Sequence, residues 1–149
     1  MSEAKPPDRL RPLIYGTAAA LGAAALWGVQ SVYSGVFHNW LALPLGLIVG
    51  TIVGYSERRV RGPGLMAFAA LLTALGWFVA LYIAAFGVFL VEVSEHQGHM
   101  AANQVPVTVM FTAKFCHHFW LELPASLPWD RLSYLAGALV ISALLARRR

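Results

Sequence analysis

The residues of this sequence best suited to chemistry are five histidines, His38, His96, His99, His117 and His118, all outside the apolar runs. His96 and His99 stand three apart, with Glu92 one turn before His96 and Glu95 beside it. Residues three or four apart share one side of a helix, so this spacing would gather two imidazoles and a carboxylate. His117 and His118 follow in the same polar stretch. Imidazole with carboxylate suits zinc, and imidazole with thioether or thiolate suits copper, for which Met100, Met110 and Cys116 supply sulfur. The candidate metal residues are therefore His96, His99, His117, His118, Glu92 and Glu95, with zinc or copper as the ion. Two other uses stay open: a haem or quinone contact, and plain polar residues at a membrane surface. Gly98 weakens a helix through His99, and no HExxH is present.

Other reaction classes find less support. A nucleophile needs a positioned Ser or Cys with a supported base, and only the His118 and Glu122 pair resembles such a base. Cys116 is the single cysteine, which excludes an intramolecular disulfide, a CxxC oxidoreductase and a Cys-ligated zinc module. The expectation is a noncatalytic protein.

The elements that must position these residues are membrane elements. Hydrophobic residues make up 58% of the 149 and charged residues 12%, about half the charged share of an ordinary soluble domain. With a mean hydropathy of +0.63, too little charge remains to cover a soluble surface. Four apolar runs, at about 13–35, 40–55, 65–91 and 132–146, form one membrane domain over 13–146. At about 1.5 Å per residue the first crosses a hydrocarbon core of about 30 Å, while the second is short and the third is long enough to tilt or project. Ala23 to Ala25 would suit signal-peptide cleavage, but the uncharged run continues past them and the segment is kept as a span. Residues 1–12 read as a flexible tail, 92–131 as the one long polar segment, and 147–149 as a basic end.

Basic residues orient the spans. Lys5, Arg9 and Arg11, then Arg58, Arg59 and Arg61, then Arg147, Arg148 and Arg149 mark one side, whereas 92–131 carries only Lys114 and Arg131. Both termini are expected in the cytoplasm and the histidines on the opposite face of a bacterial inner membrane. The net charge of +4 is thus spent on orientation, and no nucleic-acid surface is expected. The fold expected is an all-α integral membrane protein with four transmembrane helices, plus an interfacial amphipathic helix between the third and fourth.

That extra helix is read over Phe111 to Leu123, ended by Pro124. Ala113, Phe115, Cys116, Phe119, Trp120 and Leu123 would share one side, and Lys114, His117, His118 and Glu122 the other. Alternation of apolar residues over Val105 to Phe115 offers a strand as the rival. In the second span Gly46, Gly50 and Gly54, at spacing four, form a helix-packing stripe. Its expected neighbour is the first span, with Gly16, Gly22 and Gly28; self-association or contact with another membrane subunit are the alternatives. The spans hold no ionisable residue, which argues against ion-coupled transport. Gln30, Ser31, Thr51 and Thr73 are expected to bond within or between helices.

From Leu26 to Leu72, Trp27, the Trp40-Leu41-Ala42 entry into the glycine stripe, and the Gly-Pro-Gly turn resemble small bacterial multi-pass membrane proteins of unassigned function. In that group a Trp-containing helix precedes a Gly-rich one. The chain departs from it at Val36 to Asn39, where the group carries an acidic residue. The resemblance implies a compact hairpin module and no particular chemistry. The function expected is that of an accessory or assembly subunit in the lipid bilayer; the alternative is a metal- or cofactor-binding protein with a His-rich outer site.

Overall fold

The computed structural model describes residues 10–34, 37–56, 62–98, 104–123 and 129–147. Among these residues no strand occurs. Helix α1 spans Leu10–Ser34, a 3₁₀ turn at Asn39–Leu41 leads into α2 at Ala42–Ser56, and α3 spans Pro63–Gln97. A second 3₁₀ turn, Val107–Phe111, precedes α4 at Ala113–Glu122, and α5 spans Trp129–Arg147. The strand considered for Val105 to Phe115 does not form. Helices α1, α2 with its leading turn, α3 and α5 are long and apolar enough to cross a membrane. His99, Met100, Pro124, the Arg58 to Arg61 loop, Lys5, Arg9, Arg148 and Arg149 lie outside the described residues.

Helix α3 shows what starts and stops these elements. Pro63 opens it, at a position where a missing N–H leaves no bond unmade. The helix does not end at Val91, where its apolar run stops, because polar residues such as Glu92 are good helix formers. It ends at Gly98, whose φ of 87° lies in the left-handed region that favours glycine. There the Gly98 N–H donates to the Ser94 carbonyl at 3.0 Å. Its 35 residues reach about 52 Å, well beyond a hydrocarbon core of about 30 Å.

The bundle is two parallel pairs. Along α1 and α3 residue numbers rise together: Gly16 faces Leu72, Gly28 faces Ile83 and Gly87 faces Val32. Along α2 and α5, Gly46 faces Ala138, Gly50 faces Ser142, and Gly54 faces Leu145 and Ala146. The glycine stripe therefore lies against the last helix and not the first. The physical reason is that α5 carries its own small residues, Ala138, Ser142 and Ala146, at the same spacing of four, so the two backbones meet. A Cβ on Gly50 would sit 2.6 Å from the Ser142 Cα. The pairs join around Gly76, where Ala20 of α1 and Leu45 of α2 close on α3, beside the buried Trp77. Buried hydroxyls on Ser31 and Thr73 donate to the carbonyls of Trp27 and Ala69, each at 2.9 Å.

Candidate functional site

Beside this core, α4 folds back along the C-terminal half of α3. Thr112 caps its start, its hydroxyl accepting from the Phe115 N–H at 3.3 Å. The helix buries Phe115 and Phe119, one turn apart, with Leu123 just beyond, and leaves Lys114, His117 and His118 exposed. The buried side is narrower than the periodicity implied, since Ala113 and Trp120 are exposed. Rings hold the contact edge to face: Tyr82 with Phe115 and Phe119 at 5.3 and 4.9 Å, and Phe89 with Phe115 at 5.9 Å.

Tyr82 also fastens the approach to α4. Its hydroxyl donates to the Met110 carbonyl, and the Cys116 thiol lies 3.0 Å from the same oxygen. A phenol has one proton, so with that proton on Met110 the thiol proton is shared between the Tyr82 oxygen and the Met110 carbonyl, 3.8 Å from Sγ. Met110 and Cys116, considered as copper ligands, are engaged here in holding the outer segment to α3.

Between α3, α4 and the start of α5 a cavity of about 230 Å³ opens. Leu81, Ala85, Val88, Phe89, Phe115 and Phe119 give it apolar walls, Phe37 closes one side, and Glu92, His118 and Arg131 supply polar groups. Arg131 lies over the Phe37 ring, 5.1 Å from its centre, and Phe37 stacks on Trp27 at 4.8 Å. Next to them the Asn39 side-chain amide donates to the Asp130 carboxylate at 2.7 Å. Polar and charged residues thus gather at the end of the bundle where α1 stops and α2 and α5 begin.

Of the six candidate metal residues, Glu92 and His118 reach this cavity. The His96 ring is turned onto its own helix, with Nδ1 donating to the Glu92 carbonyl at 2.9 Å. Helix α3 stops at Gln97, and His99 lies outside the described residues. Glu95 and His117 are exposed. Among the described residues no three His, Cys, Asp or Glu side chains come close enough to share a metal ion.

The chain finds no match among protein-family models, curated proteins or solved structures.

The cavity's own chemistry is that of an amphiphile site, with an apolar body enclosed and a polar end met by a carboxylate, an imidazole and a guanidinium. Arg131, which the sequence presented only as an orienting charge, supplies one of these polar groups, and Tyr82, which the sequence reading passed over, holds the neighbouring α4 segment to α3. A signal for Tyr82 existed: a phenol within the apolar run of α3 must find an acceptor for its proton.

Proposed function

We propose that this chain is a noncatalytic, polytopic protein of a bacterial inner membrane that serves as an accessory or assembly subunit of a larger membrane complex. Its two ends are cytoplasmic, and α4 lies at the outer membrane interface. Lipid and other membrane subunits are its partners.

One observation carries this reading. Helix α5 is locked at backbone contact to α2 along one narrow side, yet only 17% of its span is buried inside the chain, and Tyr134, Val140 and Leu144 face outward. A helix so firmly held and so widely bare is suited to present an apolar surface to another subunit. The glycine stripe is not that surface, because α5 already covers it. A photo-crosslinking residue at Val140 or Leu144 in native membranes tests this. We expect a discrete larger species of fixed stoichiometry, lost in Leu144→Arg; adducts with lipid alone would overturn the assignment.

The outer cavity favours a second reading, a cofactor-binding protein whose ligand meets Glu92 and His118. Solvent extraction and mass spectrometry of the purified protein would reveal a stoichiometric organic ligand lost in Ala85→Trp. Zinc or copper binding is tested separately, by metal analysis of His96→Ala/His99→Ala and of His118→Ala. The expected result is metal content and stability unchanged from the parent, and stoichiometric metal lost in either variant would restore the metal reading.

A further inference from the structure

The cavity between α3, α4 and the start of α5 holds its charged groups at one level of the bundle. Glu92 follows Val91, where the apolar run of α3 stops, and Arg131 precedes Leu132, where the apolar run of α5 begins. Both line the cavity, and His118 of α4 joins them. A carboxylate and a guanidinium from two spans therefore stand where hydrocarbon gives way to lipid head groups. Val88, one turn before Glu92 and so on the same side of α3, also lines the cavity and is 60% exposed within the apolar run. The cavity thus opens sideways, toward lipid.

The signs of these charges select the head group. An anionic head would gain from Arg131 but face Glu92, a cationic head would gain from Glu92 but face Arg131, and an uncharged head would answer neither. A zwitterion answers both. At about 230 Å³ the cavity is smaller than the roughly 300 to 1,000 Å³ that encloses a drug-sized ligand, so a head group and the root of a chain enter it while the rest stays in lipid. Ethanolamine and choline heads differ in what they offer a carboxylate: a primary ammonium donates N–H groups to it, and a trimethylated one has none. A choline head relies instead on aromatic faces, tryptophan above all, whereas the rings lining this cavity are phenylalanines, with Phe89 and Phe115 already turned edge to face. We propose that the cavity binds the head of one phosphatidylethanolamine. Its ammonium donates to Glu92, its phosphate accepts from Arg131 with His118 alongside, and an acyl chain lies along Leu81, Ala85 and Val88. This assignment rests on the cavity being a ligand site, the second of the two functions proposed above.

The test uses the full chain reconstituted with equal amounts of phosphatidylethanolamine, phosphatidylcholine and phosphatidylglycerol of the same acyl chains. Native mass spectrometry then counts the retained lipid. We expect one phosphatidylethanolamine per protein, preferred about tenfold over each competitor, the worth of one charge-assisted hydrogen bond. Glu92 is exposed and its hydrogen bond with His96 uses the main-chain carbonyl, so its side chain can be changed without unfolding α3. Glu92→Gln should lose the preference, and Glu92→Lys, which leaves only cations around the head, should shift it to phosphatidylglycerol. Ala85→Trp fills the cavity and should release the lipid. Glycerophosphoethanolamine, the same head without chains, should not displace the lipid at equal concentration. Equal retention of the three lipids, a preference unmoved in Glu92→Lys, or displacement by the soluble head would overturn the site. If phosphatidylethanolamine is not retained but a different organic ligand is extracted from the native protein and lost in Ala85→Trp, this assignment falls and the cofactor reading stands. No ligand in either experiment would end both.

Discussion

Tyr82 has one proton to give, and it gives it to the Met110 carbonyl while its oxygen stands within reach of Cys116. Tyr82→Phe keeps the ring contacts with Phe115 and Phe119 but takes the phenol from the Met110 carbonyl and the Cys116 thiol, leaving them only their weak contact with each other at 3.8 Å. We expect a loss of about 1 to 3 kcal/mol, the usual result of orphaning buried polar groups. Maleimide labelling of the half-buried Cys116 should accelerate, and an unchanged labelling rate would mean that ring packing alone holds the segment. Ser142 is the opposite case: its hydroxyl is fully buried against Gly50 with no hydrogen-bond partner. Ser142→Ala removes an unsatisfied group at no loss of packing, so thermal unfolding in detergent should show stability unchanged or raised. The need of Tyr82 for an acceptor was readable from the sequence, and the environment of Ser142 was not. A serine in an apolar run is ordinarily satisfied by its own helix, as Ser31 and Thr73 are, and only the close approach of α2 and α5 makes Ser142 differ.

At the scale of the element, the stripe of Gly46, Gly50 and Gly54 was legible as a packing face, because only missing side chains let two helix backbones touch. Its neighbour was not. Choosing between α1 and α5 required matching stripes, and α1 has more glycine whereas α5 has the better register, in Ala138, Ser142 and Ala146. Even one methyl at Gly50 would press on the Ser142 backbone, which a side-chain rotation cannot relieve. Gly50→Ala should therefore cost about 1 to 3 kcal/mol, and Gly50→Leu at least as much. Gly64→Ala, where a Cβ meets nothing within 4 Å, is the control and should unfold with the parent. Equal melting temperatures for Gly50→Ala and Gly64→Ala would show that the α2 and α5 contact is loose. The projection of α3 was legible in its length, though not its limit: hydropathy marks where the apolar run ends at Val91, while backbone geometry at Gly98 marks where the helix ends. Of the candidate histidines at this end, His96 sits on the helix with its ring turned onto the Glu92 carbonyl, and His99 lies outside the described residues.

At the scale of the whole molecule, the count of four spans was legible because apolar length alone decides it, whereas the cavity arises from how unequal helices are paired. The orientation we propose predicts that single cysteines at Ser2 and Ser56, in a Cys116→Ser background, label from one side of the membrane and a cysteine at Ser94 from the other. Reaction of all three from the same side would defeat the four-span arrangement. The inequality of the helices leads to a further expectation. Helix α2 with its leading turn spans Asn39–Ser56, 18 residues reaching about 28 Å, and it lies beside α5 in matched register, with the Asn39 and Asp130 hydrogen bond fixing their ends together. A span of this length has no surplus to tilt, so in a thicker bilayer the α2 and α5 side must thin the bilayer around it or draw polar residues such as Asn39 and Asp130 toward lipid tails. The longer α1 and α3 can absorb a thinner bilayer by tilting or projecting, as α3 already does beyond the end of α1. The two halves therefore respond differently to thickness, and the short pair sets the optimum. In vesicles of phosphatidylcholines that differ only in acyl length, thermal stability should peak at chains shorter than those matching a core of about 30 Å and fall as the chains lengthen. A stability maximum at longer chains would mean that α3, not the α2 and α5 pair, sets the hydrophobic thickness of the protein.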